Sequence, residues 1–195
     1  MLEAHTIGRR GAAARAVLLL AACLLLTACP PDGGDLVPVA RGGGAVATKS
    51  FEGDTLVVTR DGATLGARGL WSVADAATSV ILEVSNANAD TAVIDFGRAE
   101  LSREGGGGRM TLRSVTRESG AGGAAVFLQD KRSEVAGGAA STFVLQFKVE
   151  SEDGSSGVPR DLTGEVVTLR VPVVSKGAAA EFVFGFEYAG RRPRR

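Results

Sequence analysis

Histidine and cysteine are nearly missing from this chain of 195 residues, and their positions limit the chemistry that remains. The one histidine is His5, and the two cysteines are Cys23 and Cys29. From residue 30 onward there is neither, so that stretch builds no disulfide, no thiolate metal site and no thiol nucleophile. It also lacks the imidazole base on which the common nucleophile–base pairs depend. No cofactor is implied. Charge of one sign is not in excess either, with 22 basic and 22 acidic residues. A nucleic-acid partner calls for a basic face, so this balance argues against one. Long apolar runs are missing as well. Residues 16–28 make a charge-free run of 13, and a spanning helix needs about 20.

What is there begins with a leader. Arg9, Arg10 and Arg15 form a basic head, and positive charge stays on the cytoplasmic side of a membrane. The apolar run follows, and its length suits the core of an export signal. It closes on Leu26-Thr27-Ala28-Cys29 and opens onto Pro30-Pro31-Asp32-Gly33-Gly34. This resembles the lipobox of bacterial lipoproteins. The resemblance implies cleavage before Cys29 by signal peptidase II, diacylglycerol on the Cys29 sulfur, and often a third acyl chain such as palmitate on the new amine. The competing readings are an ordinary secretory signal cut at Ala28 or a short retained anchor. Arg9-Arg10 raises twin-arginine export. Gly11-Ala12-Ala13 lacks the bulky apolar residues that usually follow such a pair, so general secretion is expected. Pro30, and not aspartate, follows the cysteine, which for a Gram-negative host implies the outer membrane. Two or more acyl chains anchor stably, so the expected partner is a membrane of the cell envelope, held through Cys29.

The 167 residues from Cys29 onward carry 19 basic and 21 acidic side chains, a net charge of −2. That length suits one domain with a real core. Four of the arginines, Arg191, Arg192, Arg194 and Arg195, fall in the last five positions. The sequence therefore divides into a leader at 1–28, a Pro/Gly-rich tether at 29–44, a domain at 45–190 and a basic tail at 191–195. Such a tether, if a Gly-rich coil, reaches roughly 20–25 Å.

Within the domain the dominant signal is period-two alternation, the mark of half-buried strands. Val80, Leu82 and Val84 share a face, and Ala92, Ile94 and Phe96 another. Phe143, Leu145, Phe147 and Val149 repeat the pattern, as do Val167, Leu169, Val171 and Val173, then Phe182, Phe184, Phe186 and Tyr188. Asp61-Gly62 reads as a hairpin turn between Leu56–Thr59 and Ala63–Leu65. Weaker strands are expected at 110–115 and 126–128. Pro172 cannot donate to a ladder and predicts an edge or a bulge. Eight or nine short strands with Gly-rich turns predict an all-β, antiparallel sandwich similar to immunoglobulin-like domains of envelope proteins.

Several patterns imitate sites. Residues 120–125 spell a dinucleotide glycine motif, but a strand follows where a helix is needed. Asn86, Asn88 and Asp90 alternate as in a calcium loop. Thr91 replaces the expected glycine, and Gly97 stands where a bidentate Glu belongs. Glu150, Glu152 and Asp153 form an acidic loop that reads as a solvated turn. Trp71, the one tryptophan, reads as a core plug or as a surface anchor for a partner. Arg191, Arg192, Arg194 and Arg195 read as a solvated end or as a contact for anionic lipid or polysaccharide. The sequence thus predicts a non-enzymatic, membrane-anchored binding or structural module for an envelope protein or glycan. The alternatives are a carboxylate-based glycan hydrolase and a protease inhibitor acting through residues 151–160.

Overall fold

The computed structural model describes residues 33–39, 46–50, 53–72, 77–104, 109–118, 125–148 and 162–189. The leader, Leu26, Thr27, Ala28 and Cys29, the loops at 105–108 and 150–160, most of the glycine motif at 120–125, and Arg191, Arg192, Arg194 and Arg195 lie outside them. Thirteen strands appear among the described residues. They are β1 (Gly33–Pro38), β2 (Val46–Ser50), β3 (Gly53–Arg60), β4 (Ala63–Ser72), β5 (Ala77–Asn86), β6 (Ala92–Asp95) and β7 (Glu100–Arg103). Then come β8 (Arg109–Glu118), β9 (Val126–Phe127), β10 (Arg132–Val135), β11 (Ala140–Lys148), β12 (Val166–Ser175) and β13 (Ala178–Tyr188).

The chain is all-β, but the immunoglobulin-like sandwich expected from sequence is not what forms. Eight strands close into an antiparallel barrel in the order β1, β13, β12, β7, β8, β11, β5, β4 and back to β1. Two short staves make the closure. Strand β1 pairs Leu36 with Tyr188 on one side and with Gly69 on the other. Strand β7 pairs Leu101 with Leu169 of β12 and with Met110 of β8. The segment 29–44, read as a tether, thus supplies a stave at Gly33–Pro38, with three residues between Cys29 and Gly33 in the sequence.

Three ring strands change neighbour along their length. β4 pairs β1 through Gly69–Ser72 and β3 through Ala63–Ala67. β8 pairs β7 at one end and β9 at the other. β12 pairs β7 through Val167–Arg170 and β6 through Val173–Val174. Pro172 falls in the gap between those two ladders, where a missing N–H costs nothing. Asp61 and Gly62 both have positive φ, 48° and 76°, the backbone of a type I′ hairpin turn. Opposite Gln146 and Phe147, the β8 register slips from Ser114 to Leu112, so Arg113 is an inserted bulge residue.

The alternating rows point inward. Val80, Leu82, Val84, Phe143, Leu145, Phe147, Val167, Leu169, Val171, Phe182, Phe184, Phe186 and Tyr188 are all buried, with Phe96 beside Phe143 at a centroid separation of 4.9 Å. An eight-stranded barrel has an interior just wide enough for side chains to fill. Each buried phenylalanine contributes roughly 1.5–3 kcal/mol before chain entropy is counted.

Gly34 tests the first stave. A Cβ there would run into the carbonyl oxygen of Ala189 and the ring nitrogen of Trp71. Gly34→Ala should therefore lower stability in urea denaturation by about 1–3 kcal/mol, the usual cost of overpacking. An unchanged midpoint would return residues 33–38 to a tether.

Candidate functional site

The barrel has two poles of different character. At one, which we call the terminal pole, β1 begins, β13 ends, and β4, β5 and β11 meet at Ser72, Ala77 and Lys148. The chain enters and leaves there side by side, with the Ala189 N–H donating to the Asp35 carbonyl at 3.0 Å. Trp71 closes this pole from within. It is 7% exposed, its indole N–H donates to the Ala189 carbonyl at 3.1 Å, and its ring meets Tyr188 edge-on at 5.7 Å. Trp71 is thus a plug, and its burial removes it as an exposed anchor for a partner. The Tyr188 hydroxyl lies 2.6 Å from the Thr78 hydroxyl and 3.5 Å from the Met110 sulfur. Burial pushes the Tyr188 phenol up to about 12, partly offset by the Thr78 hydrogen bond.

Outside the same pole, Ser72, Ser79, Arg113, Gln146, Phe147 and Lys148 line a surface depression of about 280 Å³ with Ala77. The β8 bulge sets Arg113 beside the Gln146–Lys148 end of β11, so one wall carries two cations. Among the described residues, no carboxylate lines it. The two cations and the hydroxyls of Ser72 and Ser79 make this lining chemically suited to an anion. Sequence reasoning missed Arg113 and Lys148, which lie 35 positions apart and meet through a register slip that alternation does not reveal.

At the far pole the calcium-like spacing has another use. Asn86 donates through Nδ2 to the carbonyls of Asp90 (2.8 Å) and Val135 (3.0 Å), and its Oδ1 accepts from the Asn88 N–H. Asn88 donates to the Asp61 carbonyl at 2.6 Å and to the Ser175 hydroxyl at 2.8 Å. These carboxamides tie three turns together, and Asn86 Oδ1 is committed to a backbone donor. Among the described residues no cluster of three or more His, Cys, Asp or Glu forms that would hold a metal ion.

The outer wall is polar. Arg170 pairs with Glu181 at 2.8 Å and Arg68 with Glu83 at 3.9 Å, both across neighbouring strands. Val126 and Phe127 on β9, with Leu70 and Val174, are the large apolar residues exposed among those described. The chain matches no protein-family model, and no curated protein matches it in sequence.

Three measurements check this assignment. Tyr188 is the one tyrosine of the chain, so phenolate absorbance reads it alone. Its folded pKa of about 12 exceeds the ordinary 10.0, so its contribution is whole below pH 10 and is lost as pH rises toward 12. The expected loss is at most about 3 kcal/mol, and Tyr188→Phe should flatten the stability profile across that window. Asn88→Ala should cost about 1–3 kcal/mol by orphaning the buried Ser175 hydroxyl and the part-buried Asp61 carbonyl. Calcium or chelator should leave the melting temperature unchanged; a calcium-dependent rise would reinstate the cation loop.

Proposed function

We propose that this chain is a lipid-anchored envelope protein whose barrel is a non-enzymatic binding or structural module that works through its outer surface. The observation that carries the reading is the direction of the alternation. Large apolar side chains fill the interior, whereas Arg68, Glu83, Lys148, Arg170 and Glu181 stand outside. A barrel that spans a bilayer presents the reverse, an apolar band outward and polar groups inward. A barrel that carries a ligand keeps room inside, and here Phe143, Phe147, Phe182, Phe184 and Phe186 occupy it.

Attachment to a membrane therefore belongs to a part outside the barrel, and the lipobox-like Leu26-Thr27-Ala28-Cys29 supplies it. Recognition belongs to the outer wall and loops, and an envelope protein or glycan is the expected partner. Val126 and Phe127, exposed on β9, are the described groups best suited to a protein.

Intact-mass analysis of the protein from its native host should find Cys29 at the mature N-terminus, carrying acyl mass. A photo-crosslinker at Phe127 should then recover one reproducible envelope protein. A mature species beginning elsewhere overturns the anchor, and crosslinking that yields nothing reproducible counts against the binding role of β9.

A further inference from the structure

We propose that the outer face of the wall formed by β9, β8, β11, β5 and β4 is a dimerisation surface whose partner is a second copy of this chain. The inference rests on the reading of β9 as a recognition surface and names its partner. It does not require acylation of Cys29.

The face is built by strand register. Phe127 pairs with Thr116, Thr116 with Val144, Val144 with Ile81, and Ile81 with Arg68, so one row crosses five strands. Paired residues project to the same side of a sheet. Phe143 and Leu145 flank Val144 and are buried, as are Val80 and Leu82 beside Ile81, so this row points outward. The next row toward the terminal pole is Ser114, Gln146, Ser79 and Leu70. Phe127 at one margin is 58% exposed and Leu70 at the other is 52% exposed. Between them the two rows carry hydroxyl, amide and aliphatic groups, and Arg68 on β4 is the one charge they contain. The wall of β12 and β13 differs, because Arg170 and Glu181 stand mid-strand on its outside.

Charge gathers at the two ends of this band, with opposite sign. Toward the terminal pole, exposed Arg113 and Lys148 share the depression beside Gln146. Toward the far pole, a row of Glu118, Thr142 and Glu83 crosses β8, β11 and β5. Arg68 approaches Glu83 at 3.9 Å and offsets part of its charge. A face that is positive at one end, negative at the other and neutral between complements itself when turned end over end. A two-fold axis across the strands, between the rows of Val144 and Gln146, performs that turn. It sets Arg113 and Lys148 of each copy over Glu118 and Glu83 of the other, and lays Val144 on Gln146. A parallel arrangement of the copies would stack like charges and is penalised. Five strands at about 4.8 Å and six residue steps from Thr142 to Lys148 give a face of roughly 500 Å² per copy. The total of roughly 1,000 Å² lies at the low end for specific interfaces and suits a reversible dimer.

The experiment uses the full chain in its host, with a benzophenone amino acid replacing Gln146 close to the axis. Irradiation should give a product of twice the chain's mass in which both linked peptides come from this sequence. Arg113→Glu with Lys148→Glu makes both ends acidic and should lower the yield about tenfold, since opposed like charges cost several kcal/mol. Glu83→Lys with Glu118→Lys makes both ends basic and should do the same. Co-expressing the two variants should restore the product as a mixed dimer, which also shows that each variant folds. The milder Arg113→Gln with Lys148→Gln should lower the yield several-fold. An unaltered chain that stays monomeric, or a self-link that all of these variants leave intact, overturns the proposal. Capture of a different protein at position 146 also overturns it, while leaving this wall a recognition surface. Acyl mass on Cys29 is read separately, so failure of the anchor and failure of the dimer are told apart.

Discussion

Closure of the ring by β1 and β7 is the constraint on which the rest of the structure depends. The long strands β4, β5, β11 and β8 form one continuous ladder, and β12 with β13 another. Only the short staves between them join the two into a barrel. Each stave commits little apolar surface, chiefly Leu36 for β1 and Leu101 for β7. Their value lies in hydrogen bonding. Without them, edges of β4, β13, β12 and β8 would present unpaired N–H and C=O groups, which natural sheets take care to cover. The aromatic interior and the two ladders therefore stabilise one another: the staves hold the walls at the spacing that the phenylalanines fill.

This division explains what the sequence reveals. Rows such as Phe182, Phe184, Phe186 and Tyr188 announce their faces because every inward position is large. The strand character, the Asp61-Gly62 hairpin and the break at Pro172 follow from local rules of this kind. Closure does not, because β1 hides it. Two of its residues are Gly33 and Gly34, lacking side chains where Trp71 and Ala189 crowd the backbone. The same economy disguises β4. Gly69 is bare because Leu36 of β1 occupies the space its side chain would need, so the row Leu65, Ala67, Gly69, Trp71 reads as irregular. A glycine that looks like a linker in one strand is the socket for a leucine in another, and no window on a single segment shows both.

Candidate sites were legible to a similar degree. The alternating Asn86, Asn88 and Asp90 were visible, and their resemblance to a cation loop came from the turn chemistry that asparagine and aspartate share with such loops. Their partners, Val135 and Ser175, lie 49 and 87 positions away, so the structural use appears only in the fold. Arg113 and Lys148 show the opposite case. Neither is conspicuous in the sequence, and a one-residue slip between two strands brings them to the same depression.

The two poles differ in hydrogen bonding, in the way the anchored module proposed above would require. At the terminal pole the ring is laddered and plugged by Trp71, Tyr188 and Met110, and β1 is hydrogen-bonded on both sides. A strand held by two ladders resists displacement better than a frayed end, because all its pairs must shear together. Toward the far pole lie β9 and β10, each with one strand partner among the described residues, and β9 exposes Val126 and Phe127. Such edges accept an added strand or an apolar contact. A mount needs saturated hydrogen bonding, and a recognition surface needs some left over. The barrel provides both kinds of end by changing the neighbours of β4, β8 and β12 part-way along, which places the spare edges of β9 and β10 at the end away from Gly33.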